Sequence, residues 1–566
     1  MTTVRDGFFD VLRRYGMTTM FSNPGSTEIP LLARFPDDIE FVLCLHEASA
    51  VGAAAGWSLG KQRPALALLH TTAGLGNAVG AIATARVNRA PVVIVVGQQD
   101  RRHLAYEPFL AGELEGLAGR YPVWTATPSR AADVPALVAQ ARHRAVAARG
   151  PAVVIVPMDD WDQPQGEQSQ PPAPLALEIG AGIDRRLCSE VARRLLAARA
   201  PVIVTGAGAD DPRTWAALAE LAELLRCPVW QEPFGARAGF PQDSERFAGH
   251  LPAGRADVRE ALGDCDVVLV AGAAALRQYG YEPGLLFADG TQVLVVTDDL
   301  AEASRSVADL AVLTPLPGFC DLLTRLVARR SGMRPEPRAA SRQLADRQGT
   351  DGHSPNGTGS HGGPGQRLRA EDVFAALRAR LPANAVLVEE SPSSRPQLQD
   401  MVPARAPLGF LSAAMGGLGF AMPAAMGFKL ACPQRPVVAV VGDGSSLYAC
   451  QSLWSAQRYR AGVLYVVLSN GGYAIMDALA ARANGQPPWP SFSEVDIGQL
   501  ARSLGCPSVQ TRTCGELARV LDDTVPTLAS RVEPLLVDVA VEPASLPFRR
   551  AAAAVSASHP DRRPAR

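Results

Sequence analysis

Short apolar runs, each closed by small or acidic residues and followed by an Ala- or Leu-rich stretch at helical spacing, recur along most of this chain. Runs such as PVVIVV at 91–96 and VVAVV at 437–441 are continuously apolar rather than alternating. That pattern belongs to strands buried on both faces, as in parallel sheets covered by helices. Strand, turn and helix repeated in this order predict an α/β fold built from parallel-sheet domains. The runs are also far shorter than the roughly 20 residues that span a bilayer, so no membrane association is expected.

The grammar occurs in three blocks, at 1–165, 175–330 and 369–545, which suits a chain of 566 residues. The first block carries strands near MTTMF, EFVLCL, ALALLH, PVVIVVG and AVVIVP. The second carries PVIVTGAGA, DVVLVAGAA and QVLVVTDD, and the third AVLVEE, VVAVVGDG, VLYVVLSN and PLLVDVAV. Residues 331–368 have almost no apolar side chains and abundant Gly, Ser, Pro and Arg, which predicts a flexible linker. Residues 546–566 read as a disordered tail.

With 55 basic against 56 acidic residues the net charge is −1, which argues against nucleic acid as a partner. Nine cysteines stand singly with no CxxC pair, and the N-terminus lacks the apolar core of an export signal, so a cytoplasmic location is expected. Asn356-Gly357-Thr358 matches a glycosylation sequon and, without such a signal, reads as a chance match.

The third block holds the most specific constellation. Strand VVAVV ends in Gly442-Asp443-Gly444-Ser445, a helical run LYACQSLWSAQRYR follows, and strand VLYVVL ends in Ser469-Asn470-Gly471-Gly472. Parallel strands end at one edge of a sheet, where open α/β sheets bind ligands, so Asp443 and Asn470 can converge. Their oxygens suit Mg2+, and Gly444 and Ser445 offer backbone N–H groups to a diphosphate. Taken singly, each dipeptide reads equally as a turn. In the first block EFVLCL runs into His46-Glu47 and a helix start of small residues, which leaves Glu47 poorly solvated, so that it either becomes protonated or finds a hydrogen-bonding partner. An acid that merely stabilises a helix N-terminus is the alternative.

GDG followed by about two dozen residues and Asn470 resembles the thiamine-diphosphate signature, with Ser469 replacing the first of its two asparagines. The resemblance extends over nearly the whole chain. Asn23-Pro24-Gly25-Ser26-Thr27-Glu28, Leu69-His70 with Ala73-Gly74-Leu75-Gly76-Asn77, and Gly97-Gln98-Gln99 are most similar to the benzoylformate decarboxylase branch of the 2-oxo acid decarboxylases.

The resemblance implies pyrimidine-binding, central Rossmann-like and diphosphate-binding domains in that order. It implies thiamine diphosphate and Mg2+ as cofactors, with Asp443, Asn470 and the carbonyl of Gly472 as metal ligands. It also implies a homo-oligomer whose active sites lie between subunits. By the same match Glu47 hydrogen-bonds N1' of the aminopyrimidine, and Leu418, in Gly416-Gly417-Leu418, supports the bent cofactor. Ser393 binds diphosphate, as do the residues around Gly442; Asn23, Pro24, Gly25 and Tyr473 complete the cofactor site. Ser26 and His70 line the substrate pocket, His70 in proton transfer. Without the family, Ser26 reads as a turn or cap residue, His70 as structural and Leu418 as core.

A second pocket histidine of the branch falls here at Tyr279, a poorer proton shuttle at neutral pH. Ile475, Met476 and Leu479 suggest an apolar pocket, or core packing at helical spacing. The expected reaction is decarboxylation of an aryl or apolar 2-oxo acid to an aldehyde and CO2. Its rivals are a carboligase or lyase resembling benzaldehyde lyase or acetolactate synthase, and a non-catalytic relative. Gly206-Ala207-Gly208 resembles a dinucleotide loop only weakly.

Overall fold

A computed structural model describes residues 2–166, 182–330 and 368–543. The linker expected at 331–368 lies outside these residues except for Leu368, which is buried and bridges Val541 in parallel register. The tail expected at 546–566 and the sequon at Asn356 also lie outside them.

Three six-stranded sheets form, and every strand pairing in them is parallel. The first holds β1 (Thr19–Asn23), β2 (Glu40–Leu43), β3 (Ala65–Leu69), β4 (Val92–Gln98), β5 (Trp124–Ala126) and β6 (Pro151–Pro157), in the order β2-β1-β3-β4-β6-β5. The second holds β7 (Pro201–Thr205), β8 (Val229–Gln231), β9 (Phe247–His250), β10 (Val267–Ala271), β11 (Gln292–Thr297) and β12 (Leu310–Leu313), ordered β12-β11-β10-β7-β8-β9. The third holds β13 (Val386–Glu390), β14 (Phe410–Ser412), β15 (Val437–Gly442), β16 (Leu464–Ser469), β17 (Ser508–Thr511) and β18 (Leu535–Ala540), ordered β14-β13-β15-β16-β18-β17.

The first and third sheets therefore share one permutation, and their chain direction reverses between β1 and β3 and between β13 and β15. Such switch points open a crevice at the carboxyl ends of the strands. The central sheet has the Rossmann permutation, with its switch between β7 and β10. The inner strands are the apolar runs of the sequence: all five residues of β3 and all seven of β4 are buried.

The first and third sheets are joined by two helices of small residues, α1 (Glu47–Lys61) and α2 (Ala421–Ala431). A Cβ at Gly56 would lie 2.1 Å from the carbonyl oxygen of Ala424, and one at Gly427 1.9 Å from that of Ala53. Only glycine permits this approach, and one apolar core runs continuously from Phe21 and Trp57 to Phe428 and Val467. The central sheet has a separate core around Leu218 and Phe319.

Asn88 and Arg89 tie all three sheets together. The Asn88 side chain donates to Ser412 O at 2.9 Å and accepts from Ala414 N at 3.0 Å. The buried Arg89 guanidinium lies 2.8 Å from Asp298, 3.3 Å from Asp299 and 2.7 Å from Glu302, at the carboxyl edge of the central sheet. A Cβ on Gly208 would sit 2.9 Å from Gly272 O and 3.2 Å from Arg89 Nη1. The loop that resembled a dinucleotide site is thus packed against its neighbours and an arginine. No helix among the described residues is long and apolar enough to cross a membrane.

Candidate active site

The candidate residues gather in two groups, one at each like-ordered switch point. In the first, the loop after β1 supplies Asn23, Pro24, Gly25 and Ser26, and the end of β3 supplies His70. Glu47 opens α1, with His46 as its cap accepting from Ala48 N at 3.1 Å.

Glu47 is 7% exposed, and its two carboxylate oxygens accept from the side-chain amides of Asn23 at 3.0 Å and Asn77 at 3.1 Å. Burial with two neutral donors meets the expectation that this acid needs partners. The dipole of α1 adds favourable charge at the same end, so the helix-stabilising reading and the ligand reading coexist.

His70 Nδ1 lies 3.0 Å from Glu28 Oε2 and 3.0 Å from Thr27 Oγ1. The buried Glu28 also accepts from Gly25 N at 2.7 Å and from the Thr27 hydroxyl. Ser26 is exposed beside this cluster, at the start of a single 3-10 turn.

The second group is built by β13, β15 and β16. Asp443 is 5% exposed, and its carboxylate accepts from Gly444 N at 2.8 Å, Asn470 N at 2.9 Å and Gly471 N at 2.6 Å. Asp443 and Asn470 thus converge, as the strand order requires. Asn470 Oδ1 in turn accepts from Gly472 N at 3.0 Å. Burial pushes the Asp443 carboxyl above its ordinary range, and the three amides partly offset that. Among the described residues no cluster of three or more His, Cys, Asp or Glu side chains could hold a metal. A cation here would draw on amide and carbonyl oxygens beside one carboxylate.

The long helix expected after the GDG turn is broken: residues Asp443–Ser446 form one turn and Ser452–Arg458 a separate short helix. A Cβ at Gly444 would lie 2.5 Å from the Tyr473 ring, which meets Phe492 edge-on at 5.0 Å. Ser393 Oγ accepts from Ile475 N at 3.0 Å and fastens the segment after the Asn470 turn to the loop after β13.

Gly416 and Gly419 adopt φ of 74° and 92°, so the turn that presents Leu418 requires glycine on both sides. Glu390 holds this turn, accepting from Gly419 N at 2.7 Å, Phe420 N at 2.7 Å and Ala421 N at 2.6 Å. Ile475, Met476 and Leu479 lie on the helix Ala474–Arg482, of which only Ala474 is buried. Ordinary core packing therefore does not account for them.

Tyr279 is 72% exposed on the loop after β10, and Arg277 Nη1 pins that loop to Ala414 O at 2.9 Å. Within one chain, no hydrogen bond or ion pair among the described residues joins the first group to the second.

Thr27, Glu28 and Asn77 stand inside the segments that carried the resemblance, and Glu390 ends the strand run AVLVEE, yet sequence reasoning gave them no role. The Gly25-to-Glu28 spacing is that of a capping box, which was the available signal for Glu28.

Family models describe the same three-part layout. The N-terminal TPP binding domain of thiamine pyrophosphate enzymes matches residues 2–117, their central domain 188–323 and their C-terminal TPP binding domain 394–539. The chain belongs to the thiamine pyrophosphate enzymes.

Within that family it is 35% identical to the benzoylformate decarboxylase of Pseudomonas aeruginosa, over 92% of this chain and 96% of that one. The solved thiamine diphosphate-dependent 4-hydroxybenzoylformate decarboxylase of Rhodococcus jostii superposes with a TM-score of 0.85 at 32% identity, covering 96% of this chain and 99% of its own. A putative acetolactate synthase large subunit of Mycobacterium tuberculosis is 27% identical over 93% of this chain and 96% of that one.

Proposed function

We propose that this protein is a thiamine-diphosphate- and Mg2+-dependent decarboxylase that converts an aryl or otherwise apolar 2-oxo acid to an aldehyde and CO2. The observation that carries the reading is Glu47, a buried carboxylate whose partners among the described residues are two asparagine amides and no cation. A buried carboxyl group with no cation beside it suits a hydrogen bond to a ring nitrogen in which one proton lies between the two.

When bound, thiamine diphosphate supplies a ring that accepts the electron pair left by departing CO2. Asp443, Asn470 and the Gly472 carbonyl would hold Mg2+, hard oxygens for a hard cation that also takes phosphate oxygens and water. Ser393, Gly416, Gly442, Gly444, Ser445 and Tyr473 surround the diphosphate in this reading. Asn23 and Asn77 keep the Glu47 carboxylate oriented, while Leu418, on the turn fixed by Glu390, would support the cofactor. Ser26 faces the substrate carboxylate, and His70 delivers the proton that the product carbon requires. Ile475, Met476 and Leu479 form an apolar wall that favours loss of charge from the substrate.

The reading calls for a homo-oligomer in which the first group of one subunit meets the second group of another. The 35% identity to a benzoylformate decarboxylase supports the substrate class.

Tyr279 favours a second reading, carbon–carbon ligation or cleavage. It is exposed and is a weaker proton shuttle than the histidine of the branch at this position, so proton delivery to the product carbon would be slower and ligation to an aldehyde would compete with it. The filled crevice at Arg89 argues against a dinucleotide-dependent variant of that chemistry.

The test is incubation of the protein with thiamine diphosphate, Mg2+ and a panel of aryl, branched and short 2-oxo acids, with Glu47→Gln as control. Aldehyde and CO2 that vanish in the control support the decarboxylase. A 2-hydroxy ketone as main product, or cleavage of a 2-hydroxy ketone supplied as substrate, supports the second reading; no turnover on any acid and no such cleavage sinks both.

A further inference from the structure

The Thr27 hydroxyl donates to Glu28 Oε1, so toward His70 its oxygen can only accept. Glu28 Oε2, 3.0 Å from His70 Nδ1, is likewise an acceptor and already receives Gly25 N–H. Two acceptors converge on one ring nitrogen, and that nitrogen must therefore carry the proton. Among the described residues Nε2 has no protein partner.

Two glycines are hollowed around this pair. A Cβ on Gly25 would fall 2.3 Å from His70 Nδ1 and 2.4 Å from its Cγ, and one on Gly97 would fall 1.7 Å from Glu28 Oε1. Glu28 itself is 1% exposed, whereas the His70 side chain is 14% exposed. A buried acid with a hydroxyl, a backbone amide and an imidazole arranged on it, in space opened by two glycines, is a built arrangement rather than a chance contact.

We propose that Glu28 is the positioning residue of this site: with Thr27 it fixes the proton on Nδ1 of His70 and leaves Nε2 as the single atom that exchanges a proton with substrate. The proposal rests on reading His70 as the proton-transfer group. In each turnover Nε2 gives one proton to the carbon that lost CO2 and regains one from solvent. Nδ1–H stays in place throughout, so protons balance without a further reactant.

The experiment has two arms. In the first, Glu28→Gln and Glu28→Asp holoenzymes are compared with wild type on an accepted 2-oxo acid. Glu28→Gln should lose about 30- to 100-fold in kcat with KM within about threefold, and its solvent isotope effect on kcat should rise. Glu28→Asp should recover a large part of kcat. Equal losses in both variants, or a loss confined to KM, would overturn the proposal. Thermal unfolding and thiamine diphosphate titration separate either result from misfolding.

The second arm needs no turnover, so it stands even if the decarboxylase reading fails. Wild type and Gly25→Ala are treated with excess diethyl pyrocarbonate, and the His70 peptide is examined by mass spectrometry. One carbethoxyl group on wild type and two on Gly25→Ala, whose new methyl drives the ring off Glu28, support the engaged Nδ1. Two groups on wild type would overturn it.

Discussion

The hydroxyl of Ser469 donates to the carboxylate of Asp538 on the adjacent parallel strand at 2.5 Å. Asp538 is 3% exposed, and its other oxygen is held by Gln510 at 3.3 Å. Ser469 is the position where the thiamine signature has its first asparagine, and a short hydroxyl there suits a buried acid on the neighbouring strand. The pair anchors the end of β16 one residue before Asn470. Ser469→Ala leaves Asp538 short of a donor, at a cost of about 1–3 kcal/mol. Thermal unfolding should record the loss, and titration with Mg2+ and thiamine diphosphate should show affinity weakened by about tenfold. Unchanged affinity would separate this pair from the metal site.

The contact between α1 and α2 tests how the first and third sheets are joined. Gly427→Ala puts a methyl group 1.9 Å from a backbone oxygen that no rotamer change can move. Overpacking of this kind costs about 1–3 kcal/mol or more, so the unfolding midpoint should fall by several degrees. Gly515→Ala is the control: Gly515 lies in the helix Cys514–Thr524 with nothing within 4 Å of a new Cβ. It should gain about 0.5–1 kcal/mol from helix propensity.

The inner strands were legible because burial on both faces makes them continuously apolar; PVVIVV and VVAVV could hardly be anything else. The strands sequence reading passed over, β5, β9, β12, β14 and β17, have four residues or fewer, and each ends its sheet. β8, with three residues, was also missed and sits next to an edge. Such segments need no apolar run. At the site, Asp443, Asn470 and Glu47 announced themselves through strand-end position and turn chemistry. Asn77 and Asp538 did not, because Glu47 and Ser469, which they meet, are distant in sequence; Glu28 showed only its spacing to Gly25, and only the fold brings it to His70.

Arg89 provides a test of the central crevice. Its guanidinium faces Asp298 and Glu302 while buried; Asp298 keeps Arg149 at 2.6 Å, so Arg89→Ala leaves Glu302 without its cation and should destabilise the protein by about 3 kcal/mol. Arg89→Lys keeps the charge but loses the fork that spans three carboxylates, and should fall between the two. Thermal unfolding of the three proteins checks the order. A midpoint for Arg89→Ala equal to wild type would mean that the acids reorganise to reach water.

Glu232, at the carboxyl end of β8, makes stability depend on pH. It is 6% exposed, and burial pushes its carboxyl from 4.5 up to about 7, with Arg277 pulling the other way. Folded protein then binds more protons at this group than unfolded protein does between those values. Stability therefore falls as pH rises from about 4.5 through 7, by up to ~3 kcal/mol from this one group. Glu232→Gln keeps the shape without the charge. At pH 8 it should raise the unfolding midpoint of the cofactor-free protein by several degrees, and at pH 4.5 it should change little. Glu390, also pushed up to about 7 by burial, behaves differently because three backbone amides receive its carboxylate. Glu390→Gln sets an amide N–H against one of those donors and should lower the midpoint at pH 8. Midpoints from pH 4.5 to 8 for the three proteins decide the matter. If Glu232→Gln lowers the midpoint at pH 8 as Glu390→Gln does, the Glu232 charge is compensated by its surroundings and burial does not govern it.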